Sequence, residues 1–167
     1  MKVIFLDVDG VLNNIKNTVK VVKRNRRKGM PLRSNSFYFV PFDRRCLKNL
    51  ARIVRRTKAK IVVTSTWRRG KEDMAVLESR LAEYGMVVTD TTKVLGARGA
   101  EIKDWIKEHE VNVDPIKFVV LDDDTYDIDN FLGTERVIET DGKCGLTFSD
   151  SLKAIDILNE GVAIWKK

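Results

Sequence analysis

The chain has 167 residues, 43% of them hydrophobic and 33% charged, with a formal net charge of +7. These values suit one soluble domain with a full-sized core. They exclude a bilayer-spanning helix, because no apolar run approaches the ~18 residues one requires. Cys46 and Cys144 lie far apart and form no CxxC, which predicts two reduced thiols in a cytoplasmic protein. A single histidine leaves no zinc or Ser/His/Asp pattern to build.

The chain opens on Val3–Leu6, a short apolar run that reads as a strand buried on both faces. It breaks at Asp7, so it is not expected to act as a signal peptide. Asp7 and Asp9 follow, then Gly10, where the backbone can turn sharply and approach a ligand. Acids that end a buried strand are costly unless something holds them, and a divalent cation is the simplest candidate. Taken alone, the spacing also fits two aspartates that cap a turn.

From 13 to 42 the pattern loses its period, which predicts an insert between the first strand and the first core helix. Between Asp9 and Asp43 there are eight basic residues and no acidic one: Lys16, Lys20, Lys23, Arg24, Arg26, Arg27, Lys28 and Arg33. The rest of the chain has 23 basic against 24 acidic residues, so the basic excess belongs to this segment. Val19, Val21 and Val22 suggest a short ordered piece, Arg24–Gly29 a basic loop, and Ser36–Val40 a strand or aromatic patch. Loops of this length are commonly functional or disordered, although a charge run is more often a solvated surface.

Beyond it, Asp43 is a good N-cap for a helix through Leu47, Leu50, Ala51 and Val54, ending near Thr57. Lys60–Thr64 is the second strand. Lys71–Tyr84 is a helix with Met74, Leu77, Leu81 and Tyr84 on one face, stopped by Gly85. Met86–Val88 is a short third strand. A helix starts at Arg98 or Gly99 and runs through Ile102, Trp105 and His109. Lys117–Leu121 and Arg136–Glu139 are the fourth and fifth strands, and a last helix opens at Ser149 or Ser151. Strands alternating with helices predict an α/β, Rossmann-like parallel sheet covered by helices on both faces. Ligands of such sheets bind beyond the carboxyl ends of the strands, where Asp7, Asp9, Thr64, Ser65, Asp122 and Asp123 all fall.

Three further stretches bear on chemistry. Thr64-Ser65-Thr66-Trp67-Arg68 closes the second strand. Alone it reads as a Ser/Thr turn, though a hydroxyl and loop amides there can also hold a phosphate oxygen. Five aspartates lie between 122 and 129 and repel one another unless cations are near. They are not an EF-hand, since Asp127 stands where that loop needs glycine. Arg98-Gly99 places a cation at a helix start before the fourth strand, with Lys93 and Lys103 as alternatives. His109, on the apolar face of its helix, is expected to pack rather than react.

Phe5-Leu-Asp-Val-Asp-Gly-Val-Leu12 closely resembles the first motif, hhhhDxDGxL, of the haloacid dehalogenase-like (HAD) phosphatases. Thr64, Arg98 with Gly99, and Asp122-Asp123 follow in the order of that superfamily's later motifs, with arginine where lysine is usual. The stretch TSTWR is similar to the SSxWR of HAD domains in Swiss-army-knife RNA-repair proteins and relatives of polynucleotide kinase-phosphatase. The resemblance implies a HAD-like fold with a small cap insert. It also implies Asp7 as nucleophile and Asp9 as general acid/base. Mg²⁺ is then held by Asp7, the Asp9 carbonyl, Asp122 and Asp123, and the phosphate by Thr64, Ser65 and Arg98. With the basic insert, the implied substrate is a nucleic-acid end carrying a 3′-phosphate, and a repair kinase or ligase is an expected partner. Trp67, Arg68, Arg24, Arg26, Arg27 and Lys28 are the expected substrate contacts, with Phe37, Tyr38 or Phe39 as further stacking surfaces. A phosphatase for a small metabolite or nucleotide is the competing reading. A non-catalytic nucleic-acid module is the other, which intact Asp7, Asp9 and Asp122 argue against.

Overall fold

The computed structural model describes residues 1–28, 42–110 and 115–160. Five strands form one all-parallel sheet in the order β3-β2-β1-β4-β5: β1 Lys2–Leu6, β2 Lys60–Val63, β3 Val88–Thr91, β4 Lys117–Asp122 and β5 Val137–Glu139. The first strand is central and pairs with β2 on one side and β4 on the other. Alternation along it sorts the core into two layers. Ile4 and Leu6 face α2 (Arg44–Thr57), α3 (Lys71–Ala82) and α6 (Phe148–Glu160), whose Leu50, Ile53, Leu77, Leu81 and Leu158 are fully buried. Val3 and Phe5 face α4 (Arg98–His109) and α5 (Tyr126–Leu132), where Ile102, Trp105 and Ile128 complete the layer. Phe5 sits edge-on to Trp105 and Phe118, with ring centroids 5.4 and 5.7 Å away. The fold is therefore the Rossmann-like α/β sheet the sequence predicts. Among the described residues no helix is long and apolar enough to cross a membrane.

Several ends shift by one or two residues, α3 closing at Ala82 rather than Tyr84 and β2 at Val63 rather than Thr64, and four elements differ in ways that bear on the site. Arg24–Arg27 is the last turn of a helix, α1 (Ile15–Arg27), not a loop. None of its residues is buried, so it lacks the apolar stripe that makes a helix legible. Its ends hold it instead: the Asn14 side chain accepts from the Asn17 amide, and the Ile15 and Lys16 amides donate to the Gly142 and Lys143 carbonyls. Arg24, Arg26 and Arg27 also complement the helix dipole at its C-terminus. Gly29 and Ser36–Val40 lie outside the described residues.

The third strand runs over Val88–Thr91 rather than Met86–Val88. It is a polar edge strand, while Met86 is buried in the core just before it. Helix α5 emerges from the aspartate run, because Asp127 and Asp129 favour the N-terminal turn of a helix. Helix α6 begins at Phe148, one residue before the earlier of the two expected starts, where Thr147 and Asp150 exchange side-chain-to-amide hydrogen bonds as a capping box. The predicted cap at Asp43 is present, accepting from the Arg45 amide at 2.9 Å.

Candidate active site

Three neighbouring strands end at one place. The Asp7 amide donates to the Leu121 carbonyl and the Thr64 amide to the Leu6 carbonyl, which fixes the loops after β1, β2 and β4 side by side. Asp7 and Asp122 are buried there, and Asp123 is exposed. Ligand oxygens of these three lie within 4.8 Å of one another. Gly10 adopts φ +72°, and a Cβ on it would stand 2.1 Å from an Asp123 carboxylate oxygen. A Cβ on Gly142 would stand 2.9 Å from the same oxygen. Asp123 is thus wedged between two backbone segments that carry no side chain.

Arg98 is the first residue of α4, and its guanidinium bridges the acids: 3.0 Å from Asp7 and in contact with Asp122. Its backbone amide donates to Asp127, which ties the start of α4 to α5. Of the two alternatives, Lys93 pairs with Asp104 and Glu108, and Lys103 is exposed on α4.

One guanidinium does not neutralise this cluster. Burial, followed by repulsion from Asp122, pushes the Asp7 carboxyl up to about 7, against the pull of Arg98. Burial likewise raises Asp122 and Asp123. Three clustered oxygen donors whose charge the protein leaves uncompensated are a hard-cation donor set, and a divalent ion fits them. The hydroxyls of Thr64 and Ser65 are buried; that of Thr64 has no hydrogen-bond partner among the described residues, and that of Ser65 lies against the Asp7 carboxyl. Buried polar groups normally find partners, so Thr64, with Ser65 beside it, suits an anion placed at Asp7.

The family model for the HAD domain in Swiss Army Knife RNA repair proteins matches residues 3–150. The chain belongs to this family. It is a HAD-type phosphatase, and the acid cluster lies at the strand ends where such a fold binds its ligand. No curated protein and no solved structure matches it.

In this HAD domain, residues expected at the substrate take several different places. Asp9 is exposed and its carboxylate stands apart from the three-acid cluster. Trp67, expected to stack a base, is 8% exposed, packs on Phe42 and donates its indole N–H to Asp9 at 2.9 Å. Arg68, expected to touch substrate, is a strut. Its side chain is 4% exposed, ion-paired with Glu101 at 2.6 Å and bonded to the carbonyls of Ser65 and Thr92. Burial lowers its pKa, and Glu101 opposes that effect. Glu101 also accepts from the Leu95 amide, so the pair braces the loop after β2 against the loop that delivers Arg98. Arg24, Arg26, Arg27 and Lys28 are exposed at the far end of α1.

Two clefts meet at the site. One, of about 390 Å³, holds Asp7, Arg98, Asp123 and Asp127. The other, of about 700 Å³, runs from Asp9 between α1 and α3, past Asn13, Thr18 and Trp67. Asp9, Thr66, Arg69 and Asp123 line both. Arg69 was not singled out in the sequence, where it is the second of two arginines. The distinction lies in the short 3-10 turn Thr66–Arg69, which turns the Arg68 side chain inward and leaves its neighbour exposed. Asn13 and Asp127 were also missed as partners of the site; nothing local in the sequence marks either.

Proposed function

We propose that this HAD-type phosphatase is Mg²⁺-dependent, transfers phosphate through Asp7, and removes a terminal 3′-phosphate from a nucleic acid. The observation that carries the reading is the convergence of Asp7, Asp122, Asp123 and Arg98 at the strand ends where the buried Thr64 and Ser65 hydroxyls also lie. Asp7 attacks phosphorus in line and forms an aspartyl-phosphate. Asp9 protonates the departing oxygen, then takes a proton from the water that hydrolyses the aspartyl ester. Arg98 binds phosphate oxygens through its planar fork, and Thr64 and Ser65 donate hydroxyls to them. Asp7, Asp122, Asp123 and the Asp9 carbonyl would hold Mg²⁺, which neutralises phosphate charge and polarises the phosphoryl group.

Three features support a polynucleotide substrate. The family is one of RNA repair proteins. Helix α1 leaves directly from the catalytic loop and carries seven of the eight basic residues of the insert, Lys16 through Lys28 with the C-cap included. The larger cleft opens from Asp9 along the first turn of α1, where Ile15 and Thr18 line it, and the basic residues continue along the same helix on an adjoining face. A kinase or ligase that rejoins the dephosphorylated end is the matching partner activity. A cleft of about 700 Å³ also suits a mononucleotide, which favours the small-substrate phosphatase as second reading.

The test is phosphate release from 3′- and 5′-phosphorylated oligonucleotides, RNA and DNA, beside mononucleotides. The expected result is Mg²⁺-dependent release that is fastest from 3′-phosphorylated oligonucleotides. Faster release from mononucleotides would transfer the reading to the small substrate.

A further inference from the structure

Asp7 and Asp122 pair with the Arg98 guanidinium, whereas Asp9 is held by two neutral side chains, one on each oxygen. Asn13 Nδ2 donates to Oδ1 at 2.9 Å, and Trp67 Nε1 donates to Oδ2 at 2.9 Å. Asn13 belongs to the turn after β1, in which the amides of Val11, Leu12 and Asn13 all point to the Val8 carbonyl. Trp67 stands on the 3-10 turn after β2 and is fixed against Phe42, with ring centroids 5.3 Å apart. An exposed carboxylate with free rotation would visit several rotamers. Donors on opposite oxygens select one, and it places Asp9 in the wall between the two clefts.

The chemistry of the donors matters as much as their geometry. Indole N–H donates and cannot accept, and the Asn13 contact is made by an amide NH₂. Neither group competes with Asp9 as a base, so the two contacts fix the orientation of its carboxylate.

We propose that Trp67 and Asn13 are positioning residues that hold Asp9 for both proton transfers of the reaction. The inference rests on the phosphatase mechanism above. In the first step the Asp7–phosphorus bond forms and the ester P–O bond breaks, and the Asp9 proton goes to the leaving oxygen. In the second, water oxygen bonds to phosphorus as the Asp7–phosphate bond breaks. The water proton returns to Asp9, and inorganic phosphate leaves.

The experiment compares two leaving groups. p-Nitrophenolate departs without a proton, whereas the alkoxide of glycerol 2-phosphate needs one. Trp67→Phe keeps the ring against Phe42 and deletes the N–H; Asn13→Ala deletes the other bond. General acid catalysis is worth about 10²–10⁴-fold. Each variant is expected to lose at least ~10-fold in first-turnover rate on the alkyl ester, a fraction of that full effect. Each keeps its first-turnover rate on the aryl ester and shows a burst of nitrophenolate before a slowed steady state. KM for both esters stays within about twofold, the response of positioning rather than binding. Equal losses on both esters, or no loss in either variant, overturn the clamp. Asp7→Asn, run in parallel, separates the two readings: if it retains activity, the mechanism itself fails rather than the clamp.

Discussion

Arg98 bridges Asp7 and Asp122 at the mouth of the site, while the Arg68 side chain is buried against Glu101. Arg98→Ala is expected to lower kcat by about 10²-fold or more, the range for one charge-stabilising group. Arg98→Lys should recover part of it, since a point charge replaces the bidentate fork. Steady-state kinetics of the two variants checks this. Breaking a buried pair leaves its partner charge unpaired, so Arg68→Ala should cost about 3–5 kcal/mol in urea unfolding. Arg69→Ala should leave stability within about 0.5 kcal/mol, as an exposed site does, and raise KM instead. A loss of stability in Arg69→Ala and none in Arg68→Ala would reverse the two roles.

Asp43 supplies a pH test at the same scale. Burial pushes its carboxyl up, but hydrogen bonds from Arg45 and Asn14 outweigh that and hold it below the ordinary range. A depressed carboxyl adds stability above its unfolded value, near ~4, and loses it as pH falls through the folded value. The Tm difference between wild type and Asp43→Asn should therefore be full at neutral pH and shrink below pH ~4. A difference that grows with acid would contradict the assignment.

Among the elements, those with a buried stripe were legible and those held at their ends were not. Leu47, Leu50 and Ile53 announce α2, and Leu77 and Leu81 announce α3, because core contact imposes the helical period. Helix α1 buries nothing and rests on the Asn14 cap and two amide contacts to the 142–143 loop, a partner more than 120 residues away. Helix α5 was concealed by its own acids, which read as a mutually repelling cluster until the helix dipole is considered. At α1, log KM for a 3′-phosphorylated oligonucleotide should rise with log salt at roughly 0.7 per contacted phosphate. Replacing Arg24, Arg26, Arg27 and Lys28 by Ala should flatten that slope. It should also weaken the oligonucleotide more than a small aryl phosphate. Equal loss on both substrates would make α1 a support for the catalytic loop instead.

At the scale of the molecule, the site follows from strand order. Placing β1 between β2 and β4 puts the ends of three strands in contact, so Asp7, Thr64 and Asp122 meet although 115 residues separate the first from the last. That convergence was readable from the parallel-sheet pattern and the acids at strand ends. The clamp on Asp9 and the Arg68–Glu101 brace were not, because each joins loops that only the folded sheet brings together. Metal binding should appear as stability: saturating Mg²⁺ at ~100 times its Kd adds about 2.7 kcal/mol over chelator. Asp122→Asn should abolish most of that gain in thermal unfolding. Chelator should stop turnover, with Mg²⁺ restoring it better than Ca²⁺, whose looser coordination suits in-line transfer poorly. Full activity in excess chelator would remove the metal from the account.

Covalent transfer to Asp7 can be read directly by trapping the phosphorylated enzyme. A substrate labelled with ³²P at its terminal phosphate is mixed with enzyme and Mg²⁺ and quenched in acid within the first turnover. Peptide mapping then locates protein-bound label. The expected label sits on the peptide carrying Asp7, is released by hydroxylamine as an acyl phosphate, and is absent in Asp7→Asn. Label on another residue, or turnover by pure Asp7→Asn at near the wild-type rate, would contradict it.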